Sequence, residues 1–390
     1  MDNMILNTTV AHQTKFFGLS GRLFETCGYF FPRLMFLQSR YGANTQWGDV
    51  VQALNNFPED ALDISSELFW QHWKDRWSAL GDKYLLDANN SRTLAGKNQL
   101  TLSAAACYHW SEFMYFSDKK VKIQLRKKAR DCFWSSFTEH PYIVYSDIIY
   151  CCNTLVPYYL VLPAGSSVTS QQYPCVILSN GLDSMTEIEI FNLCEQFLLR
   201  GIAVLLFDGP GQGVNSGITP LTLNFEIVVT ELLSVLSKNR KINFDALGFF
   251  GVSFGGYLAL RIAHQMGDYF RCIVNLSGGP YLTPYNQMKR RLKQDFQFAL
   301  CCDNDNVMGE LIDGMNQLSG FTTNSKILSI HGLHDDIFPV AGLRQLEAIL
   351  GDRHQLVLYR NESHVCLNRI NQYSVILADW VAGELLDLVN

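Results

Sequence analysis

The stretch GFFGVSFGGY, residues 248–257, sets one serine among glycines at the end of an apolar run. Residues 246–252 read as a buried strand, and GGYLALRIAHQM after them as a helix. Gly251-Val252-Ser253-Phe254-Gly255 therefore matches G-x-S-x-G between a strand and a helix. A serine thrust out of so sharp a turn needs neighbours without a Cβ, or the turn collides with adjacent backbone. The turn strains Ser253 and sets its Oγ near a helix N-terminus, where amide dipoles favour developing negative charge.

Outward from that turn, short β-rich runs alternate with amphipathic helices. YYLVLP, PCVILSNG, IAVLLFDG, ALGFFGV, RCIVNLSG, KILSIHG and QLVLYR read as strands. Apolar helices fall between them, one through Phe225, Val228, Val229, Leu232 and Leu236. Ser184 and Glu187 in SMTE have the offset of a capping box. Such alternation predicts a mainly parallel sheet covered on both faces, an α/β class. Residues 281–322 are too long for one crossover and read as a helical insertion, part of a lid over the strand ends.

Before residue 141 the pattern is helical. Trp70, Trp73, Trp77 and Leu80 recur at helical spacing in FWQHWKDRWSAL. SDKKVKIQLRKKARDCFW predicts a stripe of Val121, Leu125, Ala129, Cys132 and Phe133, with its lysines and arginines on a solvated face. The expected division is a helical cap domain at 1–140 and a core domain at 141–390.

Composition narrows the function. The chain has 390 residues, 48% hydrophobic and 17% charged, enough for a large core. A net charge of −6 argues against a nucleic-acid partner. No apolar run reaches the roughly 18 residues of a membrane span, and the N-terminal stretch lacks a signal-peptide layout. A cytoplasmic protein is expected. The eleven cysteines show no CxxC pair and no zinc spacing, so they read as free, mostly buried thiols. No metal is predicted.

A serine nucleophile needs a base, and the base needs an orienting acid. Both should follow Ser253 in the chain, acid first. KILSIHGLHDDIFPV puts Asp335 in the loop past a strand, preferred over its neighbour Asp336 from its spacing to Gly332 and Pro339. QLVLYRNESHVC puts His364 after the final strand. An oxyanion needs amide donors. The expected pair is Phe254, the residue after the nucleophile, and Leu182 in the loop after PCVILSNG, where Gly181 allows close approach. The remaining histidines, His12, His72, His109, His140, His264, His331, His334 and His354, read as structural, with His109 the candidate to face a pocket. FDGPGQG, residues 207–213, lacks the pattern of a phosphate cradle and reads as a structural turn.

Together, SNGLDSMTE, FDGPGQG, GVSFGG, HGLHDDIFP and ESHV resemble α/β-hydrolases of the FrsA-like esterase group, which carry a helical N-terminal cap. Within it the chain is similar to carbon–carbon hydrolases that shorten polyketides, in fungal pigment and bacterial anthraquinone pathways, and to pseudooxynicotine hydrolases. The resemblance implies a triad of Ser253, Asp335 and His364, with Gly181–Leu182 in the oxyanion loop and Asp183 structural. It implies no cofactor, a homodimer, and a small-molecule polyketide or ester substrate, free or carrier-tethered. An ordinary carboxylesterase or thioesterase, or a hydrolase-fold binding protein, stays open.

Overall fold

The computed structural model describes residues 19–137, 141–166 and 171–386. The N-terminal stretch through residue 18, His12 and His140 lie outside them. The chain divides into two compact units, residues 1–139 and 140–390.

The first unit is helical: α1 (Gly21–Cys27), α2 (Phe31–Leu34), α3 (Trp47–Leu54), α4 (Glu67–Asn89), α5 (Leu94–Glu112) and α6 (Lys119–Ser135). Ser66 opens α4 by accepting from the Leu68 amide, and Asp118 opens α6 by accepting from the Lys120 and Val121 amides. Trp70, Trp73 and Trp77 are buried on one face of α4. Trp73 Nε1 donates to the Trp110 carbonyl of α5 at 2.8 Å. The two helices approach so closely that a Cβ at Gly81 would stand 2.7 Å from the Tyr108 ring.

Helix α6 departs from expectation. Its buried stripe is Lys122, Arg126, Ala129, Cys132 and Phe133, while Val121 and Leu125 are only half-buried. Lys122 and Arg126 are not solvated, because both reach the fully buried carboxylate of Glu112. Arg126 Nε donates to Glu112 Oε1 at 2.9 Å, and Lys122 Nζ donates to the Glu112 carbonyl at 2.7 Å and to Oε2. Buried charge is tolerated only when paired in this way. His109, four-fifths of a turn earlier, is buried in the same cluster, its Nδ1 3.6 Å from Glu112 Oε1.

The second unit is an α/β core. Its sheet runs β1 (Ile143–Cys151), β2 (Thr154–Leu162), β3 (Tyr173–Ser179), β4 (Ala203–Phe207), β5 (Ile242–Val252), β6 (Cys272–Leu276), β7 (Lys326–Gly332) and β8 (His354–Tyr359). The order in space is β1-β2-β4-β3-β5-β6-β7-β8. β2 runs antiparallel to both β1 and β4, and β3 through β8 are parallel to one another. The sequence reading missed β1, which pairs with β2 across a tight turn at Cys152–Asn153, both with positive φ. Helices α7 (Phe191–Leu198), α8 (Phe225–Lys238), α9 (Phe254–Met266), α12 (Val340–Leu350) and α13 (Ile370–Leu385) alternate with the strands. The insertion supplies α10 (Arg290–Ala299) and α11 (Asp305–Asp313).

β3, β4 and β6 are buried along their whole length. Their register brings Ser179, Gly251, Asn275 and Ser329 side by side across β3, β5, β6 and β7. The loops that follow these strands therefore open on one edge of the sheet, where open parallel sheets place ligands. The expected capping box does not form. Residues Thr186–Ile190 make a π-helical turn entered from Met185, and Glu187 is buried, accepting from the Tyr159 hydroxyl at 2.7 Å. None of the eleven cysteines is paired in a disulfide, and eight are buried. Among the described residues no helix is long and apolar enough to cross a membrane, and no side-chain cluster suits a metal ion.

Candidate active site

Ser253 sits between β5 and α9 with φ 58° and ψ −118°. A non-glycine residue in this region stores roughly 1–3 kcal/mol of strain. Surrounding contacts hold it there: its amide donates to the Leu276 carbonyl at 2.8 Å, and its carbonyl accepts from the Gly256 amide at 2.8 Å. The flanking glycines are dictated by space. A Cβ at Gly251 would stand 1.8 Å from the Gly255 carbonyl oxygen, and one at Gly255 would stand 2.3 Å from that of Ser179. The first amides of α9 have no carbonyl within their own helix to bond. The Phe254 amide is the first of them.

His364 follows β8. Its Nε2 lies 2.8 Å from Ser253 Oγ and its Nδ1 2.8 Å from Asp335 Oδ2. The loop is shaped by two left-handed residues, Val365 (φ 64°) and Cys366 (φ 49°), and by the Tyr373 hydroxyl, which donates to the Val365 carbonyl at 3.1 Å. The Phe338 ring stacks on the imidazole at 6.2 Å.

Asp335 is buried in the loop after β7. Its Oδ1 accepts from the Ile337 and Phe338 amides at 2.9 Å each, leaving Oδ2 for His364. Burial alone would raise its carboxyl. The His364 charge and hydrogen bond, His331 and the Phe338 amide outweigh burial and hold it below the ordinary aspartate value. Asp336 is elsewhere: half its side chain is exposed and it pairs with Lys289 at 2.5 Å.

Gly181 and Leu182 follow β3. A Cβ at Gly181 would stand 3.4 Å from Ser253 Cβ, so this loop passes directly beside the serine. Leu182 is buried. The structure thus brings Ser253, Phe254, Gly181, Leu182, His364 and Asp335 to one place.

Sequence reasoning gave three neighbours no part in the site: His331 and the FDGPGQG turn read as structural, and Cys366 as a buried thiol. His331 is wholly buried, its Nε2 donating to the Phe338 carbonyl at 2.9 Å and lying 3.7 Å from Asp335 Oδ2. Burial pushes this imidazole below its ordinary value, partly opposed by the Asp335 carboxylate and the Phe338 carbonyl. Cys366, two residues past His364, has its thiol pushed up to about 12 by burial, which removes it as a rival nucleophile. Asp208 is the third. Its carboxylate accepts from Asn180 Nδ2 at 2.7 Å, beside the Gly181–Leu182 loop. The glycines of FDGPGQG were the available signal, since Gly213 leaves room for that carboxylate.

The constellation can activate a hydroxyl. Serine and histidine are within hydrogen-bond reach, and a buried carboxylate orients the ring.

Comparison with known proteins agrees with this architecture. A 2,6-dihydropseudooxynicotine hydrolase from Paenarthrobacter nicotinovorans is 26% identical over 80% of this chain and 85% of its own. A 20-hydroxy-prefusarin hydrolase from Gibberella moniliformis is 36% identical over 30% of this chain and 29% of its own. The esterase FrsA of Vibrio vulnificus is 25% identical over 57% of this chain and 52% of its own. Among solved structures, a 2,6-dihydroxy-pseudo-oxynicotine hydrolase has a similar fold, with TM-score 0.76 at 22% identity over 91% of this chain and 96% of that one. AbyA5 matches at TM-score 0.67 and 14% identity over 92% of this chain and 94% of that one. The prolyl oligopeptidase family model matches residues 229–385, and the FrsA-like esterase model matches residues 59–290, more than half of the chain. The chain therefore belongs to the FrsA-like esterase family of α/β-hydrolases.

Proposed function

We propose that this protein is a serine hydrolase that cleaves a carbon–carbon bond of a β-dicarbonyl polyketide. The observation that carries the hydrolase reading is the unbroken line Ser253–His364–Asp335, with both links at 2.8 Å. Ser253 Oγ attacks a ketone carbonyl while His364 Nε2 takes its proton. Asp335 fixes the tautomer and stabilises the imidazolium. The amides of Leu182 and Phe254 receive the oxyanion. The tetrahedral intermediate then expels carbon as an enolate, which His364 protonates. Water, deprotonated by the same imidazole, hydrolyses the acyl-serine. The net reaction adds one water and yields a carboxylic acid and a ketone.

The leaving carbon must be stabilised by its own carbonyl or aromatic ring, so the substrate supplies the electron sink. The prefusarin and pseudooxynicotine hydrolases among the relatives support hydrolysis of a small-molecule substrate. Largely buried thiols with no disulfide among them suit a reducing cytoplasm. The esterase model that matches the chain favours a second reading, ester hydrolysis by the same triad.

Product analysis separates the two. The enzyme is incubated with an aromatic polyketide β-diketone and, separately, with p-nitrophenyl esters. Equal amounts of acid and ketone from the diketone support carbon–carbon cleavage. Fast ester turnover beside an untouched diketone overturns it in favour of the esterase.

A further inference from the structure

The turn FDGPGQG follows β4, yet two of its side chains reach across to the end of β3. Asp208 and Gln212 are both wholly buried. Asp208 Oδ1 accepts from Asn180 Nδ2 at 2.7 Å and from the Thr186 hydroxyl at 2.6 Å. Its Oδ2 accepts from the Val214 amide at 3.0 Å. Gln212 Nε2 donates to the Asn180 carbonyl at 3.0 Å and lies 3.4 Å from Ser179 Oγ. Asn180 and Thr186 bracket the segment 181–185. One turn therefore grips both ends of the loop that carries Gly181 and Leu182.

The spacing of the turn follows from this grip. Gly213 has φ +46°, and a Cβ there would stand 2.1 Å from the Asp208 carboxylate. Only glycine lets the backbone fold around that group. Pairing β3 with β4 requires none of these side chains, because the ladder is made by backbone. Burying a carboxylate and two carboxamides is costly. Both carboxylate oxygens and both amide nitrogens are held, while Asn180 Oδ1 and Gln212 Oε1 have no hydrogen-bond partner among the described residues. Their placement beside the loop, and not elsewhere along the strands, points to the loop as what they serve.

We infer that Asp208 and Gln212 are positioning residues for the oxyanion site: they fix the segment from Asn180 to Thr186 so that the Leu182 amide faces Ser253. This rests on the reading of Ser253 as nucleophile and Leu182 as donor. Neither residue touches the substrate. An amide donor acts on the transition state far more than on bound ketone or ester. A displaced Leu182 should lower kcat and spare KM.

The test uses Gln212→Met, which keeps the volume and removes the donor, and Asp208→Asn, which sets an amide against three donors. Turnover of a p-nitrophenyl ester is measured beside affinity for an arylboronic acid, which forms a tetrahedral adduct on the serine with oxygen in the oxyanion position. Thermal melting and near-ultraviolet circular dichroism report folding. In Gln212→Met kcat falls about 10–100-fold, a fraction of the loss for a deleted donor, with KM within about threefold and boronate affinity falling in step. Asp208→Asn shows the same or a larger loss. If Asp208→Asn does not fold, Gln212→Met decides alone. A folded Gln212→Met with wild-type kcat and boronate affinity overturns the inference while leaving the nucleophile assignment standing. A rise in KM with kcat unchanged overturns it equally. A wild-type protein that forms no boronate adduct at Ser253 overturns both.

Discussion

Asp335 and Asp336 adjoin in the chain, yet their carboxylates face opposite surroundings. Asp335 turns inward to His364 at 2.8 Å, and Asp336 turns to solvent and Lys289 at 2.5 Å. Removing the inward charge leaves the histidine without its orienting partner. Asp335→Asn is expected to lower kcat by about 10⁴-fold. Asp336→Asn loses only an exposed ion pair, worth about 0–1 kcal/mol, and should keep near-wild-type activity. Ester turnover by both variants checks this pair, and a larger loss in Asp336→Asn would reverse the assignment.

Gly255 is expected to tolerate no side chain. Its Cβ would press on the Ser179 carbonyl, which belongs to the backbone of β3 and cannot move aside alone. Gly255→Ala should lose about 1–3 kcal/mol of stability to overpacking. It should also lose activity beyond what the unfolded fraction explains, since the displaced turn carries Ser253. Melting temperature and kcat, taken on the same preparation, test both effects.

Buried charge in the helical unit gives a third prediction. Burial pushes the Glu112 carboxyl up, but Arg126, Lys122 and His109 more than reverse this and hold it ionised below its ordinary value. Glu112→Gln would leave two buried cations facing a neutral amide. A loss of about 3–5 kcal/mol is expected, typical of a buried pair broken from one side. Lys120→Ala, on the exposed part of the same helix, should change stability by no more than about 0.5 kcal/mol. Urea unfolding of the two variants compares them, and equal effects would contradict the pairing.

His354 gives a dependence on pH. Its Nε2 lies 2.8 Å from Ser329 Oγ at the buried start of β8, and burial lowers its imidazole from 6.5 to about 4. The unfolded chain takes up this proton near 6.5, whereas the folded chain does so only near 4. Between those values the unfolded state binds more protons, so stability falls as pH falls. The loss from this group approaches about 3 kcal/mol and adds nothing further below both values. The difference in urea stability between wild type and His354→Gln should therefore shrink from pH 6.5 to about 4 and stay level above and below. A constant difference across that window would contradict the cause.

Local patterns made the core legible. The strand–turn–helix around Ser253 is written in a dozen contiguous residues, and the apolar faces of α8 and α9 follow one period. What was not legible depends on partners distant in the sequence. Lys122 and Arg126 look like surface charges until α5 delivers Glu112 against them. β1 alternates weakly because it is an edge strand, with Tyr145, Ile148 and Tyr150 exposed, and only its register with β2 defines it. Ser184 and Glu187 had capping-box spacing, but the Thr186 hydroxyl is drawn to Asp208, 22 positions away, and Glu187 to Tyr159. The role of FDGPGQG was hidden for the same reason, since its carboxylate acts on another strand's loop.

The assignment of Ser253 as nucleophile is tested most directly by intact-mass spectrometry after exposure to a small fluorophosphonate. One adduct, mapped to Ser253, absent from Ser253→Ala and accompanied by a loss of turnover of about 10⁴–10⁶-fold in that variant, is the expected result. Undiminished turnover by Ser253→Ala, or an adduct on a different residue, would contradict it.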